Sequence, residues 1–271
     1  MKVPTKITHN IFHLTTSYNC PVPKPRSLSF PRRIFFSNRI SILSHYTQDE
    51  TFPNNTCFVR PAIEDYVDEA VETLKSSKVI AVPTDTLYGL ACSACSREAI
   101  QRVYEIKGRA HTKPLAICVA DVEDIQRFVV TNHLPHGLLH SLLPGPVTLV
   151  LKRGDESEID RSMNPGNGSL GVRVPDSQFI RAIARGLGTA VALTSANLSG
   201  KPSSVSVNEF KELWVECAHV YDGGTLPCGR AGSTVIDLST PGSFKILRAG
   251  SAREETVQTL RNFSLVEQSV I

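Results

Sequence analysis

No apolar run in the 271-residue chain approaches the roughly 20 residues that a membrane-spanning helix requires, so no span is expected. Several mechanisms are missing with it. The chain has no GxxxxGK[ST], no GxGxxG following a strand, no GxSxG elbow and no HExxH. Any nucleotide bound here is therefore held by something other than a standard P-loop. His111, His133, His136 and His140 show no metal-ligand spacing, and no metal ligands are assigned. The seven cysteines are an odd number spread over a long chain, which does not suit a secreted disulfide framework. Cys92-Ser-Ala-Cys95 has no second CxxC, and Cys217 and Cys228 are too loosely placed to complete a zinc site. Small, partly buried thiols in a reducing compartment are expected instead.

Acidic residues are absent from the first 48 positions, which hold three Lys, four Arg and eleven Ser or Thr. A basic, hydroxyl-rich, acid-free stretch reads as an organelle transit peptide over residues 1–50, with an ordinary disordered basic tail as the alternative. The expected location is a mitochondrion or chloroplast, with room for a cytoplasmic pool. With those seven bases set aside, 22 Lys and Arg face 26 Asp and Glu. The positive excess thus belongs to the leader, and a general nucleic-acid-binding surface is not implied.

The remainder, with 41% hydrophobic and 20% charged residues over the whole chain, suits a globular domain. The spacing of Ile63, Val67, Ala70, Val71 and Leu74 predicts a helix opened by Pro61. Lys78 to Val82 reads as a buried strand. Further strands are predicted at 115–119, 147–152, 170–174, 190–194, 234–238 and 244–247. Helices are predicted at 97–106, 122–128, 138–142, 179–187 and 253–262, and Ser206-Val-Asn-Glu209 reads as a capping box. This alternation predicts an α/β fold, one domain built on a twisted mixed sheet with flanking helices.

Four features stand at strand ends or in loops, where α/β proteins place ligands. In Pro83-Thr-Asp-Thr-Leu-Tyr-Gly89, two hydroxyls flank a carboxylate, which serves a small polar ligand or simple turn chemistry. Lys107-Gly-Arg-Ala-His-Thr-Lys-Pro114 brings three cations together. They suit a polyphosphate, or a solvated helix C-terminus that complements the dipole. Leu193-Thr-Ser-Ala-Asn-Leu-Ser-Gly200 offers a polar cradle or an N-cap. Gly171-Val-Arg-Val-Pro175 and Gly232-Ser-Thr-Val-Ile-Asp237 place Arg173 and Ser233 in or beside hydrophobic strands.

In order along the chain, PTDTLYGL, KGRAHTKPL, LLPGPVTLVL, GVRVP, TSANLSG and GSTVID closely resemble the YrdC family of threonylcarbamoyl-AMP synthases. The resemblance covers about residues 55–251, leaving 252–271 as a C-terminal helix and tail, as in the short members of the family. It implies a sheet with a concave basic cavity. The implied reaction joins L-threonine, bicarbonate and ATP into L-threonylcarbamoyladenylate, pyrophosphate and water. A threonylcarbamoyl-transferase partner would then modify tRNA. By resemblance, Thr86, Arg173, Leu193 and Ser233 contact threonine, and Cys118 stands where many relatives have His. Lys107 and Arg109 carry the catalytic charge. Arg109, Lys113, Ser169, Ser195, Asn197, Ser203 and Arg248 bind ATP, and Mg²⁺ is held mainly through its phosphates. The alternative reading is a double-stranded RNA-binding or ribosome-assembly module, and direct RNA contact is one of the expected partnerships.

Overall fold

The computed structural model describes residues 58–108, 114–227 and 229–268. The expected leader, Arg109, Lys113 and Cys228 lie outside them. Among the described residues eleven strands form one mixed sheet: β1 (Phe58–Pro61), β2 (Ile80–Pro83), β3 (Tyr88–Ser93), β4 (Ala116–Cys118), β5 (Val147–Lys152), β6 (Ser169–Arg173), β7 (Val191–Ser195), β8 (His219–Asp222), β9 (Thr234–Asp237), β10 (Ser243–Arg248) and β11 (Val266–Glu267). Their order across the sheet is β1-β8-β2-β3-β7-β4-β6-β5-β9-β10-β11. The helices are α1 (Val67–Lys75), α2 (Arg97–Lys107), α3 (Leu138–Leu142), α4 (Gln178–Leu187) and α5 (Arg253–Asn262). Among the described residues no helix is long and apolar enough to cross a membrane.

Side chains alternate across each strand, and that alternation divides the molecule. Val147, Leu149 and Leu151 of β5, Leu170 and Val172 of β6, and Leu90 and Cys92 of β3 join one large core. Ile100, Val103 and Ile106 of α2, Leu138 of α3 and Leu260 of α5 cover that face. Fully burying such an aliphatic side chain contributes about 1.5–3 kcal/mol. On the other face, Val71 and Leu74 of α1 and Phe179, Ile180 and Ile183 of α4 pack on Ile80, Val82, Ala91 and Val191. The two helices meet at Gly186, where an added Cβ would lie 2.9 Å from Val71 Cγ2. They cover only part of this face, and the strands beyond them carry small residues over an open cavity.

Most predicted elements form near their expected positions, while β1, β3, β8 and β11 form where no strand is predicted, and other segments differ in kind. Pro61 ends β1 rather than opening a helix. Glu64–Tyr66 forms a 3-10 turn, α1 starts at Val67, and Ile63 is exposed. Pro fixes φ and withholds a donor, which suits a strand end as well as a helix start. Residues 122–127 and 207–216 are 3-10 rather than α-helical. Ser206 makes no side-chain cap, because Glu209 instead accepts Val205 N–H and pairs with Arg230.

Candidate active site

A cavity of about 500 Å³ opens over the uncovered part of the sheet. Its floor is made by the strand positions opposite the large core: Gly89 of β3, Ala116 of β4, Thr148 and Val150 of β5, Gly171 and Arg173 of β6, Leu193 of β7 and Val235 of β9. Smallness makes the room. An added Cβ on Gly89 would meet Leu193 Cδ1 at 2.7 Å, and one on Gly171 would meet Thr148 Cγ2 at 3.2 Å. The described lining holds two cations, Arg173 and Arg248, and no carboxylate.

One end is built by the turn between β2 and β3. Thr84 Oγ1 accepts the N–H groups of Thr86 and Leu87 at 3.2 Å each and donates to Leu87 O at 2.8 Å. This closed turn presents Thr86 toward the cavity while pointing Asp85 toward β6. Arg173 Nη2 donates to Asp85 Oδ1 at 2.6 Å and lies 3.4 Å from Thr86 Oγ1. Both members of the ion pair are nearly buried, with 8% and 7% of their side chains exposed. The Arg that the sequence places among valines thus has a protein anion beside it.

A second polar group sits across the floor. Thr148 Oγ1 and Ser233 Oγ are 2.8 Å apart. Arg248 donates through Nη2 to Ser233 Oγ at 3.0 Å and to Ser233 O at 2.9 Å. The guanidinium therefore pins the start of β9 while its residue lines the cavity. Ser169, Ser195 and Ser203 also line it, as does Asn167, whose side chain accepts the Ser169 N–H at 2.9 Å.

Lys107 is buried, and so is not the solvated helix terminus that is one reading of the cluster of cations. It is 2% exposed at the end of α2, just before the left-handed cap Gly108. Its ammonium donates to Ser195 O at 2.7 Å, to Asn197 O, and to Asn197 Oδ1 at 3.0 Å. Asn197 in turn donates to Leu198 O and Lys201 O. Lys107 and Asn197 therefore brace the loop after β7, and Ser195 carries that brace to the cavity wall.

Cys118 needs a correction. It pairs in register with Arg173 and shares the cavity's face of the sheet, but it is wholly buried under the α4 side of the core and absent from the lining. Burial pushes its thiol up to about 12, with the Arg173 guanidinium opposing the shift. A sealed, protonated thiol has no contact to offer threonine. The sequence reads the Asp85 carboxylate as a ligand contact or a turn group, and the structure turns it onto Arg173 instead; Thr148 is not singled out by the motif that contains it. The alternation of β5, with Val147, Leu149 and Leu151 apolar, was enough to place Thr148 on the opposite face.

The Sua5/YciO/YrdC family model, described as telomere recombination, matches residues 72–250. The threonylcarbamoyl-AMP synthase of Bos taurus is 48% identical over 202 residues, covering 73% of this chain and 72% of the relative. That of Homo sapiens is 47% identical over 197 residues, covering 71% and 70%. Among solved structures, P. abyssi Sua5 complexed with L-threonine superposes with a TM-score of 0.68 at 30% identity. That match covers 78% of this chain and 61% of Sua5, so the chain spans about three fifths of that longer protein. E. coli YciO superposes with a TM-score of 0.63 at 25% identity, covering 72% of this chain and 94% of YciO. By the span of the family match and the identity to these synthases, the chain belongs to the Sua5/YciO/YrdC family.

Proposed function

We propose that the chain is a threonylcarbamoyl-AMP synthase, making L-threonylcarbamoyladenylate, pyrophosphate and water from L-threonine, bicarbonate and ATP. The observation that carries this reading is the nearly buried Arg173 at one end of a cavity whose described lining holds hydroxyls and no carboxylate. Arg173 and Thr86 receive the threonine carboxylate, with Leu193 and Ser233 completing that end. A guanidinium matches a carboxylate's two oxygens with parallel donors. Ser169, Ser195, Ser203 and Arg248 line the way for the nucleotide. Arg109 and Lys113, outside the described residues, supply cations for its phosphates.

The chemistry needs no covalent nucleophile. Bicarbonate gives up hydroxide to become carbon dioxide. Threonine's neutral amine attacks the carbon of that carbon dioxide and loses a proton, which makes water with the hydroxide. The carbamate oxygen then attacks the α-phosphorus, breaking its bond to the bridging oxygen of pyrophosphate. The protein's share is to hold two anions in line and to offset the charge that grows on phosphorus. A lining of hydroxyls without carboxylates suits Mg²⁺ that is carried on ATP phosphates and water. When bound, the ion supplies charge neutralisation at those phosphates. The unstable product calls for a transferase partner that passes the threonylcarbamoyl group to tRNA. The expected result is pyrophosphate release from ATP that requires both threonine and bicarbonate. Release that is indifferent to threonine would overturn the reading.

The acid-free basic stretch supports import of the protein into a mitochondrion or plastid. A fluorescent fusion to residues 1–50 is expected to enter one of them, and a wholly cytosolic signal would refute the targeting.

A further inference from the structure

Asp85 takes no part in the reaction described above, yet its carboxylate is nearly buried and both of its oxygens are engaged. Oδ1 accepts from Arg173 Nη2 at 2.6 Å, and Oδ2 accepts the backbone N–H of Asp176 at 3.1 Å. These two donors bracket Val174 and Pro175, just past Arg173, where β6 ends. One carboxylate therefore grips both the guanidinium and the backbone that follows it. Asp85 itself is held by the turn that Thr84 closes, so its own position is fixed from the β2 side.

Arg173 is unevenly satisfied. Its Nη2 has Asp85 and, more distantly, Thr86, while its buried Nε has no hydrogen-bond partner among the described residues. A buried N–H without an acceptor adds to the cost of holding Arg173 here, and because the residue lines the cavity, it is the remaining edge of the guanidinium that a ligand's acceptor can reach. A guanidinium is planar, so fixing Nη2 fixes the plane in which Nε and the remaining donors point. Without Asp85, a long side chain of several rotatable bonds would sample other rotamers, and the substrate would have to order it on binding.

We infer that Asp85 is a positioning residue, which sets the plane of Arg173 so that its open donors meet the carboxylate of the amino-acid substrate. Asp85 acts only through Arg173. This rests on the proposed threonine site, and the experiment separates the two.

Threonine and ATP affinities are measured by titration calorimetry on the full chain and on Asp85→Asn, Arg173→Ala and the double variant. Pyrophosphate release at saturating threonine is measured alongside. Asp85→Asn keeps the size of the side chain and one acceptor oxygen, but its amide cannot accept the Asp176 N–H. It is expected to weaken threonine binding about 10- to 100-fold, the range for loss of a charge-assisted hydrogen bond. ATP affinity is expected to stay within about twofold, and the loss of turnover to appear mainly in the threonine KM. In the Arg173→Ala background, Asp85→Asn is expected to add no further loss of threonine affinity, which is the signature of one residue acting through the other. Full additivity would overturn the inference. So would parallel loss of ATP binding in Asp85→Asn, because Asp85 would then support the fold at large. If Arg173→Ala leaves threonine binding intact, the assignment of the threonine end itself is wrong. If Arg173→Ala weakens it and Asp85→Asn does not, only the positioning role falls.

Discussion

Lys107→Ala is expected to destabilise the protein by about 3–5 kcal/mol and to lower pyrophosphate release at least 10²-fold. An ammonium has three donors, and Ser195 O, Asn197 O and Asn197 Oδ1 are placed to receive them. Removing the charge leaves these acceptors facing one another in a site closed to water. Each unsatisfied buried polar group costs about 1–3 kcal/mol, and three acceptors lose their charged donor here, which sums to about 3–5 kcal/mol with partial relaxation. That is a large share of the roughly 5–15 kcal/mol that stabilises a domain. The activity loss follows from geometry, because Ser195 lines the cavity and its backbone is one of the groups that Lys107 holds. A misplacement of about 1 Å at a reacting centre can cost 10²-fold in rate. Urea unfolding read beside turnover checks both. Full stability with lost turnover would mean that the ammonium acts on the phosphates directly. Full stability with full turnover would remove Lys107 from the site altogether.

Lys107 also shows where a sequence stops being legible. Three cations in seven residues spell an anion site, but spacing along a chain says nothing about which cation the fold turns inward. Here the helix phase of α2 decides it, because Val103, Tyr104, Ile106 and Lys107 are all buried. The order of strands and helices was readable wherever period or composition was strong, as in β5 with its alternation and α4 with its apolar stripe closed by Gly188. It was weaker where tertiary pairing makes the element. β8 is a four-residue strand held between β1 and β2, and β3 begins at Tyr88, inside what reads as a turn. The motifs pointed to the cavity because polar residues at strand ends have few reasons to sit among valines. They offered the Asp85 carboxylate to a ligand or to a turn, and nothing in Thr-Asp-Thr says that its partner is an arginine 88 residues away. Cys118 lies in none of these motifs and came from the resemblance alone, and occupying a family position does not show whether the side chain reaches open space.

Gly171→Val is expected to reduce turnover at least 10²-fold while leaving the fold in place. Gly171 lies mid-strand in β6, paired with Ala116 of β4 and Val150 of β5, and valine suits a strand backbone. The conflict comes from the floor itself. A Cβ there would sit 3.2 Å from Thr148 Cγ2 and 3.4 Å from Ala116 Cβ, and the two methyls beyond it have only the cavity to enter. Local overpacking costs about 1–3 kcal/mol, which a cooperative domain survives. A ligand lying across this floor has no such latitude, because the methyls take the space between the Arg173 end and the opposite wall. Gly171→Ala adds the Cβ alone and is expected to fall between the two. Circular dichroism melts establish that each variant is folded, and threonine and ATP titrations establish what it binds. A folded Gly171→Val with unchanged affinity for both would show that the substrates do not lie over β6.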